Sequence, residues 1–554
     1  MNLREQADWS SDGRAATPKM AALLAMAKLP EPDPVPSVEY RSGGRVLITG
    51  PANAALEWGQ RLSGALQPSV LITRQQGGEL PAARGYPVWS GQDVKIVGWL
   101  GAFEVEWTAC DAIDFSHAES ARKETFDLVL DVSPEPLLRT PDLPQGYFAP
   151  GADPLQQALA AAKLPELVGE FEKPKFFRYK ERICAHSRSG ISGCTRCIDV
   201  CSTGAIRADG DHVKVEPHLC AGCGGCATVC PSGAMTYAYP SVPDVGRRLK
   251  TLLAAYREAG GKDACIVFHN PEAGAALLRG LPARAIPLEC FHIASIGLDT
   301  LLGAVCYGAS QVVIVGTDEP GGYVAALREQ MALGETILQA LGYAGVHFEL
   351  IQASAPQELE ARLWKLQPAL TVDKAAGFNL SDEKRTTLDF AFDHLAKRNP
   401  LEQIPLPAGA PFGALVVDKQ SCTLCKACIG ACPEAALLDS PETPALRFIE
   451  KNCVQCGLCA ATCPEDAITL VPRLLFGAQA KQPVVLHEAQ PFHCVRCAKP
   501  FGTRQMVDNM LAKLGGHSMF AGAGSLRRLQ MCGDCRVVDM VENKAEATIF
   551  DYRT

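Results

Sequence analysis

The hydrophobic and polar positions of the chain follow two periods, one typical of buried strands and one typical of amphipathic helices. In residues 41–165, apolar runs such as RVLITG, SVLIT, DVKIVGWL and FDLVLDV surround the helical pattern of ALEWGQRLSGAL. Short apolar runs joined by a helix predict a small α/β domain with a mostly parallel sheet. We place this domain at residues 41–170, after a flexible N-terminal segment at residues 1–40.

The same alternation returns in residues 246–365. Here ACIVFHN, IPLEC, QVVIVG and HFELI predict strands, and LDTLLGAVCYGA and VAALREQMALGETILQALG predict helices. The stretch is therefore a second predicted α/β domain. Residues 366–412 follow with an amphipathic helix, SDEKRTTLDFAFDHLAKR, and the linker NPLEQIPLPAGAPFG, whose prolines and glycines mark a boundary.

Composition and charge narrow the class of protein. The chain has 554 residues, of which 47% are hydrophobic, so several domains with cores of their own are expected. The net charge of -8 indicates no surface for nucleic acid. The longest apolar region is interrupted by Asp299 and several glycines, and it predicts a buried helix and strand rather than a membrane span. The N-terminus has no signal-peptide pattern, so we expect a cytoplasmic protein.

Two cysteine runs near the C-terminus have the spacing of a bacterial two-cluster ferredoxin. Residues 421–433 read SCTLCKACIGACP and residues 452–464 read NCVQCGLCAATCP, both C-x2-C-x2-C-x3-C-P. In such a tandem, three thiolates of one run and the last thiolate of the other hold one [4Fe–4S] cluster. The predicted ligands are Cys422, Cys425, Cys428 and Cys463 for one cluster, and Cys453, Cys456, Cys459 and Cys432 for its neighbour.

An earlier pair of runs repeats this motif with one departure. The run LCAGCGGCATVCPSGAM is complete, but GCTRCIDVC lacks its leading cysteine, and Ile191 occupies that place. The nearest upstream candidate is Cys184, which a loop rich in serine and glycine could return to the site. A three-iron cluster or ligation by His186 are the alternatives. The predicted ligands are Cys184, Cys194, Cys197 and Cys230 for one cluster, and Cys220, Cys223, Cys226 and Cys201 for the other.

Four cysteines close the chain in two C-x2-C pairs. They are Cys494, Cys497, Cys532 and Cys535. Two such pairs favour a closed tetrahedral zinc site, although mononuclear iron in a rubredoxin-like site would use the same ligands. The intervening segment MVDNMLAKLGG has the apolar spacing of a helix.

The remaining cysteines are isolated in apolar surroundings. They are Cys110, Cys265, Cys290 and Cys306. An isolated cysteine in such a context is usually a small buried hydrophobic residue, and we interpret all four in this way. The alternative for two of them is a further site formed by Cys265, His269, Cys290 and His292.

Together these motifs predict a multidomain chain of α/β and α+β type. Two small Rossmann-like α/β domains alternate with two 2[4Fe–4S] ferredoxin-like domains, which we place at residues 171–245 and 413–475. A metal-binding zinc-knuckle module at residues 476–554 completes the order. The expected cofactors are four [4Fe–4S] clusters and one zinc ion, and thiolate ligands of this kind require a reducing compartment.

Residues 246–365 resemble the delta subunit of methyl-viologen-reducing hydrogenase, an electron-transfer module of heterodisulfide reductase assemblies. The likeness lies in the strand that opens near Cys265, in Cys290 just after the next strand, and in the glycine that ends the strand after Ala309. Members of that family carry a paired-cysteine motif for a two-iron cluster, and this chain has one cysteine there. The resemblance therefore implies the fold without its cluster.

Two further resemblances point to formate metabolism. The run CAKPFGTRQMVDNMLAKLGGHSMF and its following CGDCR resemble the tail of the ferredoxin-like subunit of formate hydrogenlyase. The whole chain resembles proteobacterial multi-cluster ferredoxin-type proteins that accompany formate dehydrogenases, chiefly through FEKPKFFRYKERICAHSRSGISGCTRCIDVC. These resemblances imply a redox enzyme, and formate dehydrogenase in particular, as the partner.

The sequence favours an electron-transfer subunit over an enzyme. It contains no paired carboxylates, nucleophile elbow or phosphate loop, and the turn after RVLITG keeps only Gly50 of a dinucleotide-binding pattern. Two other classes compete with this interpretation. One is a flavin-dependent oxidoreductase subunit of the heterodisulfide-reductase type, and the other is an iron–sulfur maturation or scaffold factor.

The cysteine count predicts the metal content. Anaerobically reconstituted protein should hold about 16 iron and 16 sulfide ions per chain, because four quartets each take one cubane. Elemental analysis of the same sample should find one zinc. Saturation near about eight irons would contradict half of the cluster assignment, and a red rubredoxin-like spectrum without zinc would indicate iron at the C-terminal site.

Overall fold

The computed structural model describes residues 12–74, 85–110, 118–316, 322–440, 443–517, 520 and 523–542. Within these ranges no helix is both long enough and apolar enough to cross a bilayer.

The N-terminal part of the chain forms a seven-stranded mixed sheet. Its elements are α1 Thr17–Ala27, β1 Ser37–Ser42, β2 Arg45–Pro51, α2 Ala52–Leu62, β3 Gln67–Arg74, β4 Val88–Val97, β5 Phe103–Cys110, β6 Ala118–Phe126, β7 Leu128–Asp131, β8 Tyr147–Phe148, α3 Pro154–Lys163 and β9 Gly169–Pro174. The strand order is β6–β5–β4–β3–β2–β7–β8, and the pairs from β4 to β8 are parallel. β1 pairs separately with β9.

Strands β5 and β6 depart from the predicted parallel arrangement, because they pair antiparallel at the edge of the sheet. In β5, Phe103, Val105 and Trp107 are buried and the glutamates between them are exposed. A strand that buries one face alternates apolar and polar residues, whereas a parallel strand buried on both faces is apolar throughout. The sequence analysis followed the continuous apolar runs and therefore missed this edge.

The first cysteine-rich segment folds as three short antiparallel strand pairs with two helical turns. Its elements are β10 Phe177–Tyr179, β11 Ser187–Arg188, β12 Ile191–Ser192, α4 Arg196–Asp199, β13 Ile206–Asp209, β14 His212–Val215, α5 Gly225–Val229 and β15 Met235–Tyr237. The pairs are β10 with β15, β11 with β12, and β13 with β14. The cysteines therefore lie mainly in the connections between the paired strands.

A four-stranded parallel sheet follows, with helices on both faces. Its elements are α6 Val242–Glu258, β16 Cys265–His269, α7 Glu272–Ala276, β17 Ala285–Glu289, α8 Leu298–Cys306, β18 Gln311–Gly316, α9 Tyr323–Ala340, β19 Phe348–Gln352, α10 Pro356–Lys365 and α11 Lys384–Leu395. The strand order is β17–β16–β18–β19. Every strand and helix that the apolar pattern predicted here is present, because strands buried on both faces give continuous apolar runs.

Helix α1 corrects the expectation that the segment 1–40 is flexible. Ala22 and Leu23 are fully buried in the same core as Leu249 and Leu252 of α6. The helix therefore forms part of the parallel-sheet unit, although that unit begins far along the chain. A partner so distant leaves no local signal in the sequence, which explains the error.

The C-terminal part contains the second cysteine-rich segment and a small final unit. Its elements are β20 Gln403–Pro405, β21 Gly413–Val417, α12 Ala427–Ala431, β22 Leu437–Asp439, β23 Ala445–Phe448, α13 Leu458–Ala461, β24 Ile468–Leu475, β25 Val484–Glu488, β26 Pro491–His493, β27 Pro500–Thr503, α14 Arg504–Leu514, α15 Ala523–Arg528 and α16 Gly533–Glu542. β24 lies between β20 and β21, and β23 lies between β22 and β25. The helix predicted between the last two cysteine pairs is α14.

Leu380 joins the parallel-sheet unit to the start of α11. Its side chain packs against Gly246 of α6 and Gly303 of α8, where an added Cβ would come within 2.6 Å of Leu380 at either glycine. Each glycine thus provides the space for one side of the leucine. Leu380 is 2% exposed, and it holds the chain in place four residues before α11 begins.

Replacing Leu380 should therefore destabilise the unit that carries α11. Leu380→Ala should cost about 2–5 kcal/mol, because a buried leucine is lost and two helical glycines are left beside a cavity. Thermal unfolding monitored by tryptophan fluorescence should show the loss. Leu370→Ala is the control, since Leu370 is 39% exposed and its truncation should change stability by only about 0.5 kcal/mol. Equal effects of the two substitutions would contradict the packing role of Leu380.

Candidate metal centres

The three complete cysteine runs share a backbone conformation that suits an anionic group. In each run, the residues directly before and after the second cysteine have positive φ angles between 53° and 83°. Left-handed residues within such a loop turn successive N–H groups toward its inside and form a concavity for anions. Three of the six are not glycine, so the fold accepts some backbone strain here. The six residues are Gly222, Gly224, Leu424, Lys426, Gln455 and Gly457.

In the second cysteine-rich segment, the structure brings together the cysteines that the motif grouped. Burial, and after it the neighbouring thiolates of Cys425, Cys422 and Cys463, raise the pKa of Cys428 to about 12. The pKa of Cys459 is likewise raised by burial and then by three neighbours. These neighbours are Cys453, Cys456 and Cys432. Each set of four thiols is therefore close enough for mutual repulsion of its charged forms.

The first cysteine-rich segment has the same arrangement. The pKa of Cys226 is raised well above the ordinary value by burial and then by Cys223, Cys220 and Cys201. The second set is grouped around Cys197. Burial raises the pKa of Cys197 to about 12, with contributions from Cys230, Cys194 and Cys184.

A hairpin returns Cys184 to this second set. Strands β11 and β12 pair between Cys184 and Cys194, and the N–H of Cys194 donates to the carbonyl of Ala185 at 2.8 Å. The ring of His186 is occupied within the loop, because its Nδ1 lies 3.0 Å from the carbonyl oxygen of Cys194. The geometry therefore places the Cys184 thiol with the other three cysteines, while His186 stabilises the turn.

The last cysteine of each complete run also accepts a backbone hydrogen bond at its sulfur. The N–H groups of Met235, Ala436 and Ala467 lie 3.4, 3.3 and 3.4 Å from the sulfurs. The acceptors are Cys230, Cys432 and Cys463. Hydrogen bonds to thiolate sulfur stabilise negative charge, and they are one of the means by which proteins set the potentials of iron–sulfur clusters.

The four sets form a series. The pKa of Cys226 is also raised by Cys197, and that of Cys459 by Cys428. The two cysteine sets of each segment are therefore near enough to interact electrostatically. Between the segments, burial and then neighbouring thiolates, Cys194 among them, raise the pKa of Cys456 to about 11. We name the sets in this order. They are the first outer quartet (Cys201, Cys220, Cys223, Cys226), the first inner quartet (Cys184, Cys194, Cys197, Cys230), the second inner quartet (Cys432, Cys453, Cys456, Cys459) and the second outer quartet (Cys422, Cys425, Cys428, Cys463).

The two ends of the series differ in their surroundings. The first outer quartet is covered by the N-terminal unit. Lys173 Nζ donates to the carbonyls of His218 and Cys220 at 2.7 and 2.9 Å, and Trp99 stacks on the His218 ring with centroids 4.6 Å apart. At the other end, Cys425 of the second outer quartet is exposed to solvent.

The C-terminal cysteines form a much more compact group. The sulfurs of Cys494, Cys497, Cys532 and Cys535 all lie within 4.8 Å of one another, and those of Cys497 and Cys532 are 3.6 Å apart. Such distances fit four thiolates around a single tetrahedral ion with metal–sulfur bonds of about 2.3 Å. Burial opposes ionisation of Cys494, but N–H donors from Cys497, Cys532 and Arg496 outweigh it and lower its pKa to about 6.

The isolated cysteines do not form a further site in the described part of the chain. Cys265, Cys290 and Cys306 are buried, as the sequence predicted. Cys265 lies in the core on one face of the parallel sheet and Cys290 in the core on the other, so these two cannot bind one ion together with His269 and His292. The side chain of Cys110 lies outside the described residues.

Three cations beside the cysteine loops were missed by the sequence analysis. Lys173, Lys384 and Arg385 each donate to the carbonyl oxygen of a quartet cysteine. Lys384 had a visible signal, because it falls on the buried stripe of α11 with Thr387, Leu388 and Ala391. A lysine on the apolar face of an amphipathic helix is expected to have a buried hydrogen-bond or ion-pair partner.

Two segments match family models of known proteins. Residues 192–234 match a 4Fe–4S dicluster domain, and residues 421–468 match another model of a 4Fe–4S dicluster domain. The first match begins after Cys184, and the second contains all eight cysteines of its two runs. No curated protein matches the chain. The protein is thus an iron–sulfur protein of ferredoxin type with two dicluster domains, and these support a role in electron transfer.

The hairpin at Cys184 leads to a test by substitution. Cys184→Ser should remove about four irons per chain and alter one low-temperature EPR signal, because one quartet then lacks a thiolate. His186→Ala is the matched control, and it should retain full iron content, since that ring contacts only the loop backbone. Unchanged iron and unchanged EPR in Cys184→Ser, or a larger loss in His186→Ala, would contradict the assignment.

Proposed function

We propose that the chain holds four [4Fe–4S] clusters in its four quartets and one zinc ion at its C-terminal cysteines. We further propose that it passes electrons between a redox enzyme of the formate dehydrogenase type and an acceptor. Each bound [4Fe–4S] cluster supplies a group that can accept and release one electron. The protein would keep these groups in sequence, shielded from water and adjusted in potential.

The serial order of the quartets carries this proposal. Thiolates of consecutive quartets are near enough to raise the pKa of one another at three places, between Cys226 and Cys197, Cys194 and Cys456, and Cys428 and Cys459. A protein that stores or delivers assembled clusters has no need for an unbroken series of four sites. A series is what electron transfer over the length of two dicluster domains requires.

The two outer quartets differ in their exposure to solvent, and this difference supports a proposal about which of them a redox partner contacts. Cys425 is exposed, so a partner can approach the second outer quartet closely. The first outer quartet is shielded by Lys173, Trp99 and the rest of the N-terminal unit. We therefore propose the second outer quartet as the point of exchange with a redox partner.

The proposed role of the zinc ion is to stabilise the fold of the C-terminal unit. The C-terminal unit is attached to the second dicluster domain by the Thr503 hydroxyl, which donates to the carbonyl of Thr423 at 3.0 Å, and by an ion pair between Lys513 and Glu465 at 3.1 Å. Few of its described side chains are buried apart from Cys494, Cys532, Val507 and Met531. A closed thiolate site would supply folding free energy where the apolar core is small.

The proposed partner rests on the resemblance of the segment around Cys184 to ferredoxin-type proteins of formate dehydrogenase systems. Anaerobic purification of the tagged chain, with mass spectrometry of the proteins that accompany it, should recover a redox enzyme. Recovery of cluster-assembly proteins instead would favour a maturation factor.

The electron-transfer proposal has a direct test. Dithionite-reduced protein, freed of excess reductant, should deliver about four electrons per chain to cytochrome c and should keep its iron. The same holo-protein incubated with an apo-ferredoxin should transfer no iron, because four thiolates would hold each cluster and only Cys425 among the sixteen is exposed. Transfer of iron to the apo-ferredoxin, or delivery of about two electrons, would contradict the proposal.

A further inference from the structure

Helix α11 begins with two adjacent cations whose side chains reach different dicluster domains. Lys384 Nζ donates to the carbonyls of Ala227, Thr228 and Cys230 at 3.0, 2.6 and 3.1 Å. The Arg385 guanidinium donates to the carbonyls of Pro411, Lys451 and Cys453 at 2.8, 2.7 and 3.0 Å. Cys230 belongs to the first inner quartet and Cys453 to the second. One helix turn thus contacts the backbone of both inner quartets.

The three carbonyl acceptors of Lys384 Nζ suit the ammonium form, whereas burial lowers the pKa of this lysine. A neutral amine has two N–H donors, and an ammonium has three, which matches the three carbonyl acceptors of Lys384. Arg385 is charged at any ordinary pH. Lys384 is only 9% exposed. A buried charge is costly unless a counter-charge lies close by.

The counter-charge for these cations is not a directly paired carboxylate. Within the described residues, neither Lys384 nor Arg385 has a carboxylate oxygen within the 4.0 Å of an ion pair. The anionic groups that interact with these two cations include both carboxylates and cysteine thiolates. Asp299 and Cys230 act on Lys384, and Cys453, Glu434 and Asp389 act on Arg385. A thiolate-ligated iron–sulfur cluster carries net negative charge, so the quartet beside each cation would supply the missing anion.

The two dicluster domains also touch beside the inner quartets. A Cβ at Gly193, next to Cys194, would come within 2.7 Å of Leu458, which is fully buried next to Cys459. The guanidinium of Arg196 donates to the carbonyl of Gly409 in the linker that leads to the second domain. The junction is therefore a close-packed contact, and glycine at position 193 is what allows it.

We infer that Lys384 and Arg385 are positioning residues that lock the two dicluster domains together with their inner quartets facing each other. The chain is then one four-site unit and not two ferredoxins on a tether. This inference rests on the proposed function, because it assumes a cluster in each inner quartet. A fixed positive charge beside a quartet also favours the more reduced, more negative state of whatever cluster it holds.

The test combines potentiometric titration with EPR spectroscopy of the holo-protein. Lys384→Gln should shift the midpoint potential of one cluster to a more negative value, and Arg385→Gln should shift that of a second cluster. Arg385→Lys keeps the charge and should leave the potentials near those of the wild type. The double variant K384Q/R385Q should lose the spin–spin broadening that we expect between the inner clusters of the fully reduced wild type.

Arg178→Gln is the matched control. Arg178 forms an ion pair with Asp382 at 2.5 Å across the same boundary, but its side chain is 52% exposed, and its ion pair and side-chain hydrogen bond within the described residues go to Asp382 and not to a cluster loop. The cluster midpoint potentials and the spin–spin broadening of the Arg178→Gln variant should equal those of the wild type. Iron loss confined to one inner quartet in Lys384→Gln would also support the inference, provided that Arg385→Lys retains full iron.

Two outcomes would overturn the inference. One is unchanged potentials and broadening in K384Q/R385Q at full iron content. The other is a wild type that delivers four electrons and shows no interaction between inner clusters, in which case the electron-transfer function stands and the locked junction does not. A wild type with only about two clusters would contradict the proposed function itself.

Discussion

The backbone carbonyls of the cysteine loops are the constraint on which the rest of the structure depends. A loop that turns its N–H groups toward a metal site leaves carbonyl oxygens without strand or helix partners, and buried carbonyls require donors. Lys173, Lys384 and Arg385 provide these donors at Cys220, Cys230 and Cys453. Lys173 lies on β9, which pairs with β1 of the N-terminal part, and Lys384 and Arg385 lie on α11 between the two cysteine-rich segments. The α/β units are therefore needed to complete the cysteine loops, and not merely attached to them.

The electrostatics of the two kinds of cysteine site differ in a way that fits their different roles. Burial and mutual repulsion raise the pKa of Cys428 and Cys197 to about 12, so these two thiols stay protonated unless a cationic core compensates their charge. At the C-terminal site, backbone donors outweigh burial and lower the pKa of Cys494 to about 6, whereas a hydrogen bond with Cys497 and then burial raise that of Cys535 to about 12. Metal binding and local folding are thus linked at both sites, because the bound form of the ligands is the thiolate.

Local patterns in the sequence predicted the elements whose burial is uniform. The strands and helices of the parallel sheet were predicted because β16 and β18 are mostly apolar and are buried along their whole length. The edge strand β5 was missed because only one of its faces is buried, and α1 was missed because its partner α6 is distant in the chain. The C-x2-C spacing grouped the cysteines, since three ligands of each site lie within one short loop.

The sequence by itself determined the number of cysteine runs, the iron–sulfur class of the protein and most of its core elements, because these depend on residues close together in the chain. Only the tertiary structure decided how the sites are ordered. Three features show this: the hairpin that brings Cys184 back, the contact between Gly193 and Leu458, and the hydrogen bond from Lys384 to Cys230. None of them could be predicted from the periodicity of the sequence. Lys384 and Cys230 are 154 positions apart, and such a contact is selected by the packing of whole domains rather than by local pattern.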